Sequence, residues 1–348
     1  MSRKLNTVYY YNRSCNLRCR HCWISPKETT DPKEELTFDE VTRMFLDLKA
    51  SGVNSVKFGG GEPLALPYAE DLIDFFAKEK IDLFLETNGT LMTPRLADLV
   101  KEAGGSASVS LDGPDEETHG LLRISKDSFE QAKRGIRLLV ERGVNTQVIF
   151  SVHKGNIGSF METVSLAKSL GASFIKVNFI NSIGHAETMV KNGLLLDVSE
   201  FIDFFKRTDS DELTDFVFFN IPIAFKKIRR VSKEMDYKCN ICGVVGVLSN
   251  GDVSICGVGN LKDDLILGNI RSNSLLEIWQ NHPLFQQLHR DIPANLGGIC
   301  SKCMFKRQCL GSCVVNTYNA TGSFNAGYPF CEEADRLELF PRHRLVEV

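Results

Sequence analysis

The sequence predicts an α/β fold: a parallel sheet with helices packed outside it, followed by a cysteine-rich C-terminal region. Three observations carry that prediction. Short β-rich runs alternate with helical patterns six times over the first half of the chain, the arrangement that parallel strands with helical crossovers require. The 348 residues are 43% hydrophobic, so a large core can be buried. Finally, eight of the eleven cysteines fall between positions 239 and 331, where periodicity fades.

The expected strands are TVYYY (7–11), SVKF (55–58), IDLFLE (81–86), SASVSL (106–111), TQVIFSV (146–152) and FIKVNFI (174–180). Between the first two lies a helical pattern over 37–50. Thr37 can cap it, with Glu40 three residues on to close a capping box. Phe38, Val41, Phe45 and Leu48 then share one face. Further helices fit 69–80, 94–103, 128–143 and 157–171, with Gly143 and Gly171 suited to ending the last two. The strand count leaves a doubly wound sheet and an incomplete barrel both open. Either architecture collects ligands at the carboxyl ends of its strands. From 186 to 235 the texture turns helical and apolar, as in LLLDVSEFIDFF, and reads as a bridge packed on the sheet. A small domain held by metal is expected over 236–335, and a short tail over 336–348.

Composition excludes several classes. A net charge of -3 gives no electrostatic case for nucleic acid or an anionic membrane surface. The short basic cluster Lys226-Lys227-Ile228-Arg229-Arg230 reads as a solvated helix face. The N-terminal MSRKLNTVYYYNRSC has no apolar core of the secretory kind. No apolar run approaches the roughly 18 residues that suggest a membrane span. A cytoplasmic chain is expected, and there cysteines stay reduced and serve first as metal ligands.

Cys15, Cys19 and Cys22 sit in CNLRCRHC, directly after the first strand. A buried helical stripe of cysteines fits poorly, since Asn16, Arg18, Arg20 and His21 intervene. Nearby arginines favour thiolate over thiol. A structural zinc needs four protein ligands, and His21 is an awkward fourth beside Cys22. Three thiolates fit better with an iron–sulfur cluster that leaves one iron open to a small molecule.

This loop resembles the cluster-binding loop of the radical S-adenosylmethionine (radical SAM) superfamily. The resemblance implies a partial (β/α)6 TIM-like barrel with a C-terminal cysteine-rich iron–sulfur (SPASM) domain. It also implies that the open iron of a [4Fe-4S] cluster chelates SAM, which an electron cleaves to methionine and a 5'-deoxyadenosyl radical. FGGGEP (58–63) resembles the family's GGEP motif, which assigns Gly60, Gly61 and Glu62 to the SAM amino group. ETNGT (86–90) and SLDGP (110–114) are ordinary turn formers on local chemistry. Following strands on the same side, they resemble family positions near the cofactor. Ser110 and Arg123 are implied near the SAM ribose and carboxylate, with Asn88 and Asp112 as further neighbours. His153 in FSVHKGN is read as structural.

Cys300, Cys303, Cys309 and Cys313, with Cys331 beyond them and Cys239, Cys242 and Cys256 upstream, resemble the SPASM extension. The resemblance implies two auxiliary [4Fe-4S] clusters. One is held by Cys300, Cys303, Cys309 and Cys331, the other by Cys239, Cys242, Cys256 and Cys313. Together with the first loop these sets use all eleven cysteines. Two zinc sites are the competing reading of this half.

The implied activity is oxidative modification or cross-linking, through C–S or C–C bonds, of a peptide or protein. A flavodoxin- or ferredoxin-type protein is the implied electron donor. No spare cysteine remains for a peptide epimerase. Sulfatase maturases place an aspartate after the cysteine matching Cys256, and this chain has Gly257 there. Only fourteen residues precede Cys15, so either a separate leader-binding protein presents the substrate or the substrate bears no leader. Tetrapyrrole side-chain modification is the leading non-peptide alternative. A non-catalytic, metal-stapled binding or electron-transfer protein is the alternative of a different class, and an electron carrier has no use for Glu62 or Arg123.

Overall fold

Six parallel strands form the centre of the molecule: β1 (Thr7–Asn12), β2 (Ser55–Gly60), β3 (Asp82–Thr87), β4 (Ser106–Ser110), β5 (Asn145–Val152) and β6 (Phe174–Phe179). Each pairs with the next in sequence order. The crossovers are helical: α1 (Phe38–Ala50), α2 (Ala69–Glu79), α3 (Pro94–Glu102), α4 (Glu116–Arg123), α5 (Ser128–Glu141) and α6 (Phe160–Ser169). The chain is described by a computed structural model over residues 4–24, 34–234 and 240–346. Cys239, expected as a ligand, lies outside the described residues. Among the described residues, no helix is long and apolar enough to cross a membrane.

Side-chain parity fixes which way the sheet faces. Tyr10 of β1 meets Phe45 of α1 edge-on, Phe58 of β2 meets Phe76 of α2, and Phe150 of β5 meets Phe160 of α6. These positions face the helices, so their neighbours along each strand face the concave side. The capping box of α1 is present, with the Thr37 N–H donating to Glu40 Oε2 at 2.8 Å and the Glu40 N–H to Thr37 Oγ1 at 3.3 Å. Its buried stripe is Val41, Met44, Phe45 and Leu48.

The stretch expected to be a purely helical bridge also supplies a strand. After α7 (Ala186–Lys191) and α8 (Val198–Thr208), β7 (Val217–Asn220) pairs parallel to β6. Phe219 of β7 packs on Phe204 and Phe205 of α8 at 5.6 and 5.1 Å. Both elements are apolar and aromatic, which is why the sequence blurred them.

The cysteine-rich region is joined to the same sheet rather than held by cysteines alone. β8 (Val244–Leu248) pairs parallel to β1, and β9 (Asp252–Ser254) and β10 (Ile266–Asn269) follow antiparallel. The sheet order is β10-β9-β8-β1-β2-β3-β4-β5-β6-β7, an open, parallel-dominant partial barrel. Val245, Val247 and Val253 are fully buried in the common core. Two further contacts fasten this region. Arg271 pairs with Glu40 at 2.7 Å, and Phe330 packs against Phe179 and Phe201 at 5.6 and 6.0 Å.

The β8 junction has no room to spare. A Cβ on Gly246 would lie 2.5 Å from the carbonyl carbon of Cys256. Gly246→Ala is expected to cost about 1–3 kcal/mol through overpacking, seen as a lowered melting temperature. An unchanged midpoint would mean that the Cys256 segment does not cross the sheet here.

Candidate functional site

The cysteine loop leaves the carboxyl end of β1 and is fastened to the end of β2 by backbone hydrogen bonds. The Gly61 N–H donates to the Asn12 carbonyl at 2.7 Å and the Glu62 N–H to the Ser14 carbonyl at 2.9 Å. In return Asn12 Nδ2 donates to the Glu62 carbonyl at 2.6 Å. A Cβ on Gly60 would collide with the Asn12 backbone, and one on Gly61 with the Ser14 carbonyl. Gly60 also has a φ of +113°, which disfavours any other residue. The two glycines are therefore required by the loop's own backbone, whatever else they approach.

Glu62 is fully buried, and its backbone is extended as Pro63 demands. Its Oε1 accepts from Thr87 Oγ1 at 2.7 Å and the Leu64 N–H at 3.2 Å, and its Oε2 from the Asn88 N–H at 2.7 Å. Burial nevertheless pushes its pKa up to about 7, so a cation docking beside it would favour the carboxylate. The ETNGT turn thus serves as the cradle of Glu62. Asn88 also reaches the loop: its Nδ2 donates to Asn16 Oδ1 at 2.9 Å and lies 4.0 Å from Cys15 Sγ.

A second buried network holds the other side of the loop. Arg123, at the end of α4, donates through Nε to Asp112 Oδ2 at 2.6 Å, and its Nη1 lies 3.6 Å from Cys19 Sγ. Asp112 is fully buried, and its Oδ1 accepts the Ser151 N–H at 2.7 Å. Burial opposes both charges, yet each sustains the other. Asp112 is held below the usual carboxylate range, and Arg123 is raised. With both oxygens committed, Asp112 acts on its surroundings through Arg123. His119 Nδ1 accepts the Asp112 N–H at 3.1 Å, and His153 Nδ1 accepts the Gly155 N–H at 3.0 Å. Ser110 is half-buried at the end of β4, on the concave face.

The thiols divide by place. Burial pushes Cys15 up to about 12, with Glu62, Cys19 and Cys22 close enough to add to the shift. Cys300 is likewise pushed up to about 12 by burial, with Cys309 and Cys303 adding. Cys331, on a distant helix (Pro329–Arg336), is raised by burial and then by Cys300, Cys309 and Cys303. Cys300, Cys303 and Cys309 thus lie close enough to Cys331 for their charges to bear on it. Cys242 lies in a short 3-10 turn (Ile241–Gly243), Cys256 in the segment just after β9, and Cys313 at the N-cap of a helix (Val314–Thr321). Among the described residues, no three His, Cys, Asp or Glu side chains gather about one point as a single ion would have them. Buried thiols that repel one another fit a cationic centre, which stabilises thiolates where burial alone opposes them.

Several supporting residues escaped the sequence reading. Asn12 ends an aromatic run, and that abrupt polarity was the available signal. Thr87 and Asn156, whose Nδ2 donates to the Asp112 and Ser151 carbonyls at 3.0 Å each, gave none, because each looks like an ordinary turn residue. Gly257 has an unexpected occupant beside it: a Cβ there would run into the Tyr11 ring. Any side chain at 257 would require the Tyr11 ring to move.

Comparison with known proteins agrees with this geometry. The family model for the radical SAM superfamily matches residues 9–167, and that for SPASM, the iron–sulfur cluster-binding domain, matches 239–304. The AdoMet-dependent heme synthase of Methanosarcina barkeri is 30% identical over 333 residues, 91% of this chain and 93% of that protein. The subtilosin biosynthesis protein AlbA of Bacillus subtilis is 26% identical, over 91% of this chain and 68% of its own length. Streptococcus suis SuiB, solved with its precursor peptide SuiA, shares the fold with a TM-score of 0.72 at 18% identity, over 95% of this chain and 76% of that one. Two matched domains, a relative aligned nearly end to end and a clamped cysteine loop at the strand ends lead to one conclusion: this chain is an enzyme of the radical SAM superfamily with a C-terminal SPASM domain.

Proposed function

We propose that this enzyme oxidatively modifies or cross-links a peptide or protein, forming C–S or C–C bonds after reductive cleavage of SAM. The observation that carries the SAM-cleaving part of the reading is the two-sided clamp on the Cys15–Cys22 loop, and the AlbA relative supports a peptide substrate. Glu62 and Asn88 hold the Cys15 side, and Arg123 backed by Asp112 meets Cys19. An acid and a base on opposite sides of one thiol loop match an amino acid zwitterion, the end of SAM that a cluster iron would chelate. Cys15, Cys19 and Cys22 would hold that cluster, and cluster and SAM together supply a 5'-deoxyadenosyl radical when bound. Gly60 and Gly61 fix Glu62 against the loop, and Ser110, at the end of β4, would take the ribose side of SAM. Asp112 occupies Arg123 Nε, leaving the terminal nitrogens to Cys19 and to a carboxylate, a geometry that the planar guanidinium suits.

In the same reading, Cys300, Cys303, Cys309 and Cys331 hold one auxiliary [4Fe-4S] cluster. Cys239, Cys242, Cys256 and Cys313 hold a second. A flavodoxin- or ferredoxin-type donor in a reducing cytoplasm would supply electrons. A second substrate reading, tetrapyrrole side-chain modification, is favoured by the heme synthase relative, which aligns over more of its length than AlbA does. Oxidation in the manner of sulfatase maturases is disfavoured, because Tyr11 fills the space beside Gly257.

Three experiments test the assignment. The anaerobic wild-type protein is expected to carry about twelve irons in three four-iron clusters and to release 5'-deoxyadenosine under reduction. Cys19→Ala should lose about a third of that iron and all SAM cleavage; loss of all iron would break the modular assignment. Asp112→Asn is expected to raise the KM for SAM about tenfold or more, the scale of a hydrogen bond to a charged group, with iron content retained. An unchanged KM would show that Arg123 does not meet the cofactor.

A further inference from the structure

The concave face of this sheet differs from the centre of an ordinary (β/α) barrel. Such centres are filled by layers of branched apolar side chains. Here the helix-facing positions carry the apolar residues, and several concave positions are polar. Lys57 lies on β2, Glu86 on β3, Ser108 on β4, Gln147 on β5 and Lys176 on β6. Glu86, Ser108 and Gln147 are direct partners in register across three strands.

Lys57 and Glu86 form an ion pair at 2.8 Å. The ammonium lies 4.9 Å from the centroid of the Tyr9 ring and 5.7 Å from that of Phe84. The pair is not sealed in: its side chains keep 22% and 33% of their accessibility. Ser108 is only 2% exposed, and its hydroxyl has no partner. On the β1 side the Tyr11 ring covers Gly59 and reaches Gly257, the residue after Cys256. The pair therefore sits beneath Glu62 and Asn88, with one auxiliary-cluster cysteine on its flank.

We propose that Lys57 is the substrate anchor, and that it takes a carboxylate, with the Ser108 hydroxyl as a second donor. This inference rests on the radical SAM reading and deepens it by naming the substrate as acidic. An ammonium has three donors, and Glu86 engages one of them directly. Within β1–β6, and setting aside Asp82, exposed at the amino-terminal mouth, the charged concave residues are Lys57, Lys176 and Glu86; Asp252 shares that face farther along the sheet, on β9. Glu86 and the aromatic walls hold the Lys57 stem in one place, so it is pre-organised rather than flexible. The carboxylate could belong to an acidic peptide side chain or to a tetrapyrrole, and the same chemistry would bind either.

The test uses immobilised holoenzyme with SAM, without oxygen. One arm compares retention of a peptide library holding Asp or Glu at a single position with its Asn or Gln counterpart. The other compares Fe-coproporphyrin III with its methyl ester. The wild type should favour the acidic member of one pair by about tenfold or more, and the favoured pair names the source. Lys57→Met should erase the preference and Lys57→Arg restore it, while Glu86→Gln should keep or strengthen it. Iron content and melting temperature report whether each variant is folded. Absence of any acid preference, or a Glu86→Gln loss as large as that of Lys57→Met, overturns the anchor. A preparation that cleaves SAM yet shows no preference sinks the anchor alone. One that cannot cleave SAM sinks the reading beneath it.

Discussion

The arrangement depends on a short run of backbone hydrogen bonds that continues the β1–β2 pairing past the ends of both strands. Asn12 and Ser14 accept from Gly61 and Glu62, so the first residues of the cysteine loop behave as an extension of the sheet. A loop with three thiols and three arginines nearby would otherwise have many conformations available, and ordering each residue costs roughly 1–2 kcal/mol. The constraint works only because residues 60 and 61 lack side chains. Once it is in place, Glu62 is fully buried at a fixed distance from Cys15, and the third strand end follows because Thr87 and Asn88 are the donors that a buried carboxylate needs.

The opposite clamp obeys a different logic. Asp112 and Arg123 are both buried, and a buried ion pair seldom adds net stability, since desolvation offsets the attraction. Apolar residues of similar volume would often serve the fold as well. The retained charges make sense as orientation: Asp112 is locked by the Ser151 N–H and passes that rigidity to the guanidinium beside Cys19. Stability is thereby exchanged for a cation aimed at the loop.

Much of this was legible in the sequence, and the limits have physical causes. All six central strands were visible because each crossover resets the pattern from a two-residue to a helical period. β7 was not, since VFFN is as apolar as the α8 helix it packs on. β8 was hidden for another reason: VVGVL lies among cysteines, and cysteine spacing drew attention to metal rather than to strand pairing. The site divided similarly. Residues with distinctive chemistry, such as Glu62, Arg123 and the thiols, could be singled out. Asn12, Thr87 and Asn156 act through hydrogen bonds to residues distant in sequence, which no local pattern encodes. The Tyr11–Gly257 contact spans 246 positions, and a glycine there reads as an ordinary turn until the ring is seen above it.

That contact bears on how the two halves of the enzyme communicate. Because β8 lies beside β1, the Cys256 segment borders the concave face at whose strand ends the Cys15 loop sits. Tyr11 stands between them, over Gly59 on one side and Gly257 on the other. A substrate lodged over Lys57 and Glu86 would thus have the Cys15 loop above it and the Cys256 segment beside it. No domain movement is needed to bring them together. The shared sheet is therefore what joins the two regions: strand order sets the Cys15 loop and the Cys256 segment on the same wall.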